Sequence, residues 1–189
     1  MKSQVQWKTY WEHELKPSDH AELAEYFRTL YGEVNAWAFE GNRSFALGGA
    51  RPEFRIIGYD DKGVAAHTGV LRRFLRVGTV DQLVADCGLL GVRPDLQRSR
   101  VSYDLLIAVR SAVMELKVPF AFGAMREELR RLVLRANATI LPDVQVRATS
   151  QWDPSEMVIE DHFVYIDPIM QPVEEWPPGK LIDRNGPPL

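Results

Sequence analysis

The sequence predicts a mixed α/β or α+β fold, a sheet with helices packed on its faces, and three observations carry that expectation. Segments of period 2 and period 3.6 follow one another as strand, helix, three strands, helix, strand, helix, two strands. The three successive strands are joined by short turns, which makes them antiparallel neighbours. An apolar strand over residues 80–92 then leads through a helix to a strand over 118–124, one βαβ crossover with parallel strands.

Each element has its own reason. Residues 5–15, "VQWKTYWEHEL", mix aromatic and polar side chains and predict a strand. Pro17-Ser18-Asp19 opens a helix in which Leu23, Ala24, Phe27, Leu30 and Tyr31 recur at helical spacing until Gly32 ends it. Residues 33–52, "EVNAWAFEGNRSFALGGARP", predict a long loop, and such loops in a compact domain usually carry function. Strands follow over 53–59, 64–77 and 80–92, joined by Asp60-Asp61-Lys62-Gly63 and by Gly78-Thr79. Glycine in the first position of a two-residue loop suits a type II′ hairpin. A helix over 96–116 has a broad apolar face (Val101, Leu105, Ala108, Val109, Ala112, Val113, Leu116), wide enough to lie across a sheet. After the strand over 118–124, a helix over 125–137 sets Leu129, Leu132, Val133 and Ala136 against a face of arginines. Strands over 144–149 and 157–166 close the pattern, and the proline-rich residues 170–189 predict an irregular tail running over the surface. Without repeats or linkers, residues 1–189 read as a single domain.

Composition narrows the function. Apolar content of 46% and charged content of 26% are those of a globular protein, and a net charge of −3 argues against general nucleic-acid binding. Arginines nevertheless cluster at 72, 73 and 76, at 93, 98 and 100, and at 126, 130, 131 and 135. Each cluster is either a solvated face or a dock for an acidic partner. The one cysteine, Cys87, excludes an internal disulfide and provides no metal-ligand spacing. With no signal-peptide pattern at the N-terminus and no long apolar run, the chain is expected in the cytoplasm, with membrane contact at most peripheral.

Motifs of nucleotide binding, metalloproteases and serine hydrolases are absent. Cys87 lies within a strand and reads as a buried, inert residue. Asp86 sits inside "QLVADCGLLGV", where a carboxylate is either at a solvent-facing position or buried for its chemistry. His67, in "GVAAHTGV", is either a core histidine or a catalytic one. With Val77 opposite Val80, paired residue numbers sum to 157, which sets Leu71 against Asp86 and His67 against Leu90. His67 and Asp86 then share a face, roughly 13 Å apart along the strand, too far for a dyad.

The stretches "SQVQW", "FEGNRSF", "GARPEFRIIGYDDKGVAAHTGVLRRFLRVG", "GLLGVRPDL" and "EWPPGKLIDRNGP" resemble the nodulation N-acyltransferases of the NodA type, in order and at similar spacing. The likeness is weaker between Gln97 and Pro172. The resemblance implies transfer of a fatty acyl chain from acyl carrier protein to the free amine of a partly deacetylated chitin oligosaccharide. Such proteins are in turn similar to the GNAT acyltransferases, which implies a mixed, mostly antiparallel central sheet with helices on both faces. No tightly bound cofactor or metal is implied; the donor is an acyl-phosphopantetheine, on acyl carrier protein or as acyl-CoA.

By this resemblance the step from strand to helix holds the donor. GNAT proteins have a turn Q/R-x-x-G-x-G/A there, whose backbone amides hold a pyrophosphate. Here Gln97-Arg98-Ser99-Arg100-Val101-Ser102 occupies it, with Arg100 and Ser102 in place of both glycines. Arginine side chains suit the single phosphate of a carrier-protein arm. The resemblance makes Asp86 the general base, where the NodA type has Glu. His67 becomes a second base candidate or an acceptor ligand. Leu90 and Val92 bind the donor, with the backbone near Leu90 offering its N–H to the thioester oxygen. Arg93, Gln97, Arg98 and Arg100 contact the donor. Trp37, Phe39 and Phe45 cover the acyl chain or stack on sugar, unless they simply pack an irregular segment. No general acid carries over after "LRANATI". Two other readings stay open: a GNAT-type enzyme acting with acyl-CoA on another amine, and a non-catalytic module that binds carrier protein or sugar.

Overall fold

In the computed structural model, which describes residues 5–32, 49–150 and 153–189, β1 (Gln6–Trp11) pairs antiparallel with β2 (Phe54–Asp60). Between them in sequence lies α1 (Pro17–Tyr31). Its start is set by Pro17 in the first turn and by the Lys16 N–H, which donates to the Asp19 carboxylate at 2.8 Å. Gly32 closes it at φ +86°, a backbone angle that suits glycine.

β3 (Gly63–Val77) and β4 (Val80–Val92) form a long hairpin around Gly78, at φ +57°. A single 3-10 turn, Pro94–Leu96, precedes α2 (Val101–Glu115), which leads to β5 (Phe120–Met125). A second 3-10 turn, Glu127–Leu129, runs into the short α3 (Arg130–Arg135). Then come β6 (Thr139–Leu141), β7 (Gln145–Thr149), β8 (Met157–Glu160), β9 (Phe163–Pro168) and, after a turn at Val173–Glu175, β10 (Leu181–Asp183).

The described strands make one sheet in the order β6-β9-β5-β4-β3-β10-β7-β8, with β2 and then β1 joined to β3. The long β3 is shared: residues 63–70 pair with β2, and residues 76–77 pair with β10. Among the described strands only β4–β5 and β10–β7 are parallel, so the sheet is mixed and mostly antiparallel, as expected.

Both faces are covered. On one, Phe54, Ile56, Ala66, Val70, Ala85 and Cys87 meet Leu105, Val109, Ala112 and Val113 of α2. On the other, Ile57, Val64 and Leu89 meet Leu23, Tyr26 and Phe27 of α1. Leu23 and Phe27 are fully buried, and each contributes about 1.5–3 kcal/mol of apolar burial. The part of that face without α1 is covered by the C-terminal segment: the Trp176 ring lies parallel to Phe122 at 6.4 Å and edge-on to Phe120 at 5.1 Å.

The structure corrects several expected bounds. The helix expected over 96–116 begins at Val101, because Arg98 takes a left-handed angle, φ +58°, and breaks the turn. The helix expected over 125–137 shrinks to α3 and its preceding turn. The strand expected over 157–166 is two strands: Met157–Ile159 are exposed on β8 at the sheet edge, and Phe163–Ile166 are buried on β9. β6 has no counterpart in the sequence reading. The tail expected to be irregular over the surface supplies β10, with Ile182 fully buried. Its prolines lie outside Leu181–Asp183, which leaves that tripeptide free to pair with both β3 and β7.

Candidate active site

The site is built where β4 and β5 separate. Val84, Ala85 and Asp86 pair with Phe120, Ala121 and Phe122, and the pairing ends there. Beyond it, β4 follows β3 to Val92, while β5 follows β9 to Met125. Tyr165 of β9 lies beside this fork, its hydroxyl 2.6 Å from where a Cβ on Gly123 would stand. Burial pushes that phenol well up, so it keeps its proton.

β4 also carries a bulge. Val77–Val80 through Gly69–Gly88 keep the expected register, with Leu71 opposite Asp86. Past Gly69 one residue is added on β4, so His67 stands opposite Gly91 rather than the expected Leu90. Leu89 and Leu90 together face Thr68, and Leu89 takes φ +53°. The extra residue was not legible because the left-handed angle falls on a leucine, not on a neighbouring glycine.

His67 keeps its face, since β3 is regular from Ala66 to Val77 and His67 therefore lies on the side of Leu71 and Arg73. It is fully buried, in edge-on contact with Phe27 of α1 at 5.0 Å. Its Nδ1 is 3.0 Å from the Leu89 carbonyl and its Nε2 is 3.1 Å from Nη1 of Arg55. Arg55, also fully buried, donates through Nε and Nη2 to both oxygens of Glu12, at 2.5 and 3.0 Å. Burial, then the Arg55 charge, drive the imidazole pKa down to about 3.

Asp86 is also fully buried. Its Oδ2 accepts from Arg184 Nη1 and lies 3.5 Å from Arg73 Nη1. Arg184 also donates to Glu160, at 2.6 Å from Nε, and its guanidinium lies over the Phe122 ring at 5.2 Å. Among the described residues, Asp86 Oδ1 and Thr68 Oγ1 are the buried side-chain polar atoms with no hydrogen-bond partner. Residues 184–189 run along this face: Arg73 donates to the Pro187 carbonyl at 2.9 Å, and Leu189 fills the space where Gly88 lacks a side chain.

The donor-side residues divide. Arg93 is committed to structure, donating to Asp60 at 2.5 Å, Asp95 at 2.7 Å and the Val64 carbonyl at 3.2 Å. Gln97 donates to the carbonyl of the buried Val92 at 3.2 Å. The Ser99 hydroxyl accepts the Val101 N–H at 3.2 Å, so that amide at the start of α2 is already engaged. Arg98 and Arg100 are exposed, with Arg100 paired to Asp104 at 3.1 Å. Trp37, Phe39 and Phe45 lie outside the described residues. Cys87 is buried against α2, and burial pushes its thiol pKa up, so it stays protonated.

The sequence reading missed Arg184, Arg73 and Glu160 around Asp86, and Arg55 and Glu12 behind His67. Arg55 was findable by the criterion that singled out Asp86, a charged residue in an apolar strand, here "EFRIIGY". Arg184 lies within the quoted "IDRNGP", and only the fold brings it to β4.

The family described as Nodulation protein A (NodA) matches residues 2–189. The chain is 49% identical to nodulation protein A of Methylobacterium nodulans, over 100% of this chain and 92% of that one. It is 50% identical to nodulation protein A of Bradyrhizobium elkanii, over 100% and 93%. Among solved structures it is similar to the GNAT family N-acetyltransferase YhbS of Escherichia coli in complex with CoA, with TM-score 0.62 and 12% identity over 97% of this chain and 91% of that one. It is also similar to the ribosomal-protein-S18-alanine N-acetyltransferase of Escherichia coli, with TM-score 0.56 and 15% identity over 91% and 99%. At such identities the likeness is one of fold.

Proposed function

The chain belongs to the NodA family of nodulation proteins, N-acyltransferases of GNAT-like fold, and from that premise we propose that it acylates the free amine of a partly deacetylated chitin oligosaccharide, with acyl carrier protein as donor. The observation that carries this reading is the fork between β4 and β5 after Asp86, with a buried carboxylate oxygen unpaired at its base. In this reading the fork takes an extended pantetheine arm. Attack of a neutral amine on its thioester needs a base for the proton and a donor for the developing oxyanion. Asp86 is the base, directly or through a water, and the Leu90 N–H is the oxyanion donor.

The donor preference rests on the turn without glycines. A carrier-protein arm has one phosphodiester, whereas coenzyme A adds a pyrophosphate and a nucleotide. With Val101 N–H engaged and Arg98 and Arg100 exposed, the turn suits a phosphate held at the surface by arginine. The test is incubation with fatty-acylated acyl carrier protein and a deacetylated chitin oligosaccharide, read by mass spectrometry, beside an equal reaction with acyl-CoA. An N-acylated oligosaccharide from the carrier-protein reaction is expected. Product from acyl-CoA alone would reverse the donor assignment, and product from neither would remove the acceptor.

A further inference from the structure

At its bulge β4 presents three consecutive carbonyls to side chains from the α1 side of the sheet. His67 Nδ1 is 3.0 Å from the Leu89 oxygen, Tyr31 Oη 3.3 Å from the Leu90 oxygen, and Tyr26 Oη 2.6 Å from the Gly91 oxygen. The extra residue on β4 and the left-handed Leu89 take this backbone out of the regular strand geometry. Both phenols are O–H donors to these carbonyls, and burial pushes the Tyr26 phenol well up.

The partners of His67 also fix its proton. A carbonyl oxygen only accepts and a guanidinium only donates, so Nδ1 carries the hydrogen and Nε2 is the acceptor. An imidazole committed at both nitrogens has no place for an amine proton. Its neighbours are Arg55 of β2, Glu12 of the turn after β1, and Tyr26 and Phe27 of α1. The trans Leu89–Leu90 peptide directs the Leu90 N–H opposite the Leu89 carbonyl, away from His67.

We propose that His67 is a positioning residue: with Tyr26 and Tyr31 it grips the Leu89–Gly91 carbonyls and keeps the Leu90 N–H turned toward the thioester oxygen. Arg55 and Glu12 hold the imidazole from behind. This role presupposes the acyl-transfer function proposed for the chain and replaces the expectation of His67 as a second base.

The test has two arms. Nitrogen-15 NMR of the wild-type imidazoles, assigned against His67→Asn, should show His67 neutral and protonated on Nδ1 throughout pH 5.5–8.5. A titration midpoint inside that range, or a proton on Nε2, overturns the proposal. In the transfer assay His67→Leu, which loses the donor, should lower kcat about 10²-fold with both KM values within twofold, the scale of a misplaced oxyanion donor. His67→Asn restores an N–H near Nδ1 and should recover kcat to within about threefold of wild type. Folded His67→Asn as inactive as His67→Leu, or both at wild-type kcat, overturns it. If His67→Leu fails to fold, Tyr26→Phe takes its place, with a smaller kcat loss expected and unchanged kcat counting against the clamp. A wild-type protein without transfer activity would instead overturn the acyl-transfer function and leave the NMR result standing.

Discussion

Two buried polar centres share one face of the sheet, about 13 Å apart along β3, and they are built to opposite rules. Around His67, hydrogen bonds run unbroken from the Leu89 carbonyl through imidazole and guanidinium to the Glu12 carboxylate. Around Asp86, two arginines and Glu160 gather charge, yet one carboxylate oxygen keeps no partner. A satisfied buried network fixes geometry. An orphaned buried acceptor costs about 1–3 kcal/mol and calls for a use. The contrast fits the roles proposed above, position for the first centre and proton chemistry for the second.

The strongest way to break the contrast is Asp86→Asn. Turnover per folded molecule should fall about 10²–10⁴-fold, the range for losing a general base. Wild-type turnover in the purified, folded variant would take Asp86 out of the chemistry. Next is Arg184→Leu, which leaves the buried Asp86 and the half-buried Glu160 without their shared cation. Breaking such a pair costs about 3–5 kcal/mol, so Tm should fall by roughly 10 °C. A Tm within 2–3 °C of wild type, on the order of 1 kcal/mol, would show that the cluster is not a charge-compensated unit.

The third prediction sharpens the His67 side through pH. The folded pKa of about 3 lies below the unfolded value near 6.5, so the unfolded chain takes up the proton first as pH falls. His67 therefore contributes its full stability above about pH 6.5 and loses it between there and pH 3, roughly 2 kcal/mol by pH 5. Between pH 8 and 5 the Tm advantage of wild type over His67→Asn should shrink by roughly 4–8 °C. A constant gap in paired melting curves would mean that His67 becomes charged as readily in the folded chain as in the unfolded one.

The smallest effect lies outside both centres. Arg98→Glu with Arg100→Glu should slow association with acyl carrier protein several-fold at low salt, and the difference should fade as salt rises. A carrier-protein Kd unchanged at low salt would make these arginines ordinary solvated residues.

The sequence-based reading captured what local patterning controls. The bounds of β3 and β4, the Gly78 turn and the pairing of Leu71 with Asp86 follow from alternation and turn chemistry. The bulge escaped it because a left-handed leucine leaves no compositional mark, and this moved the partner of His67 from Leu90 to Gly91. β10 escaped it because a proline-rich context masks a three-residue strand whose pairing is entirely long-range. With β10 unseen, Arg184 could not be brought to Asp86. Asp86 and His67 stood out as polar residues in apolar strands, but whether such a residue has partners is a property of the packed molecule.

Arg184 and Asp86 are separated by 98 residues, which gives synthesis itself a say in the chemistry. A ribosome releases β4 long before the segment bearing Arg184. Until that segment arrives, the sheet can form its hairpin while the Asp86 carboxylate stays open to water. Closure over residues 184–189 is then a late step of folding, slowed by the loop entropy that long sequence separations impose. A chain released before residue 184 would carry the strand with the carboxylate but lack the cation that lets it be buried.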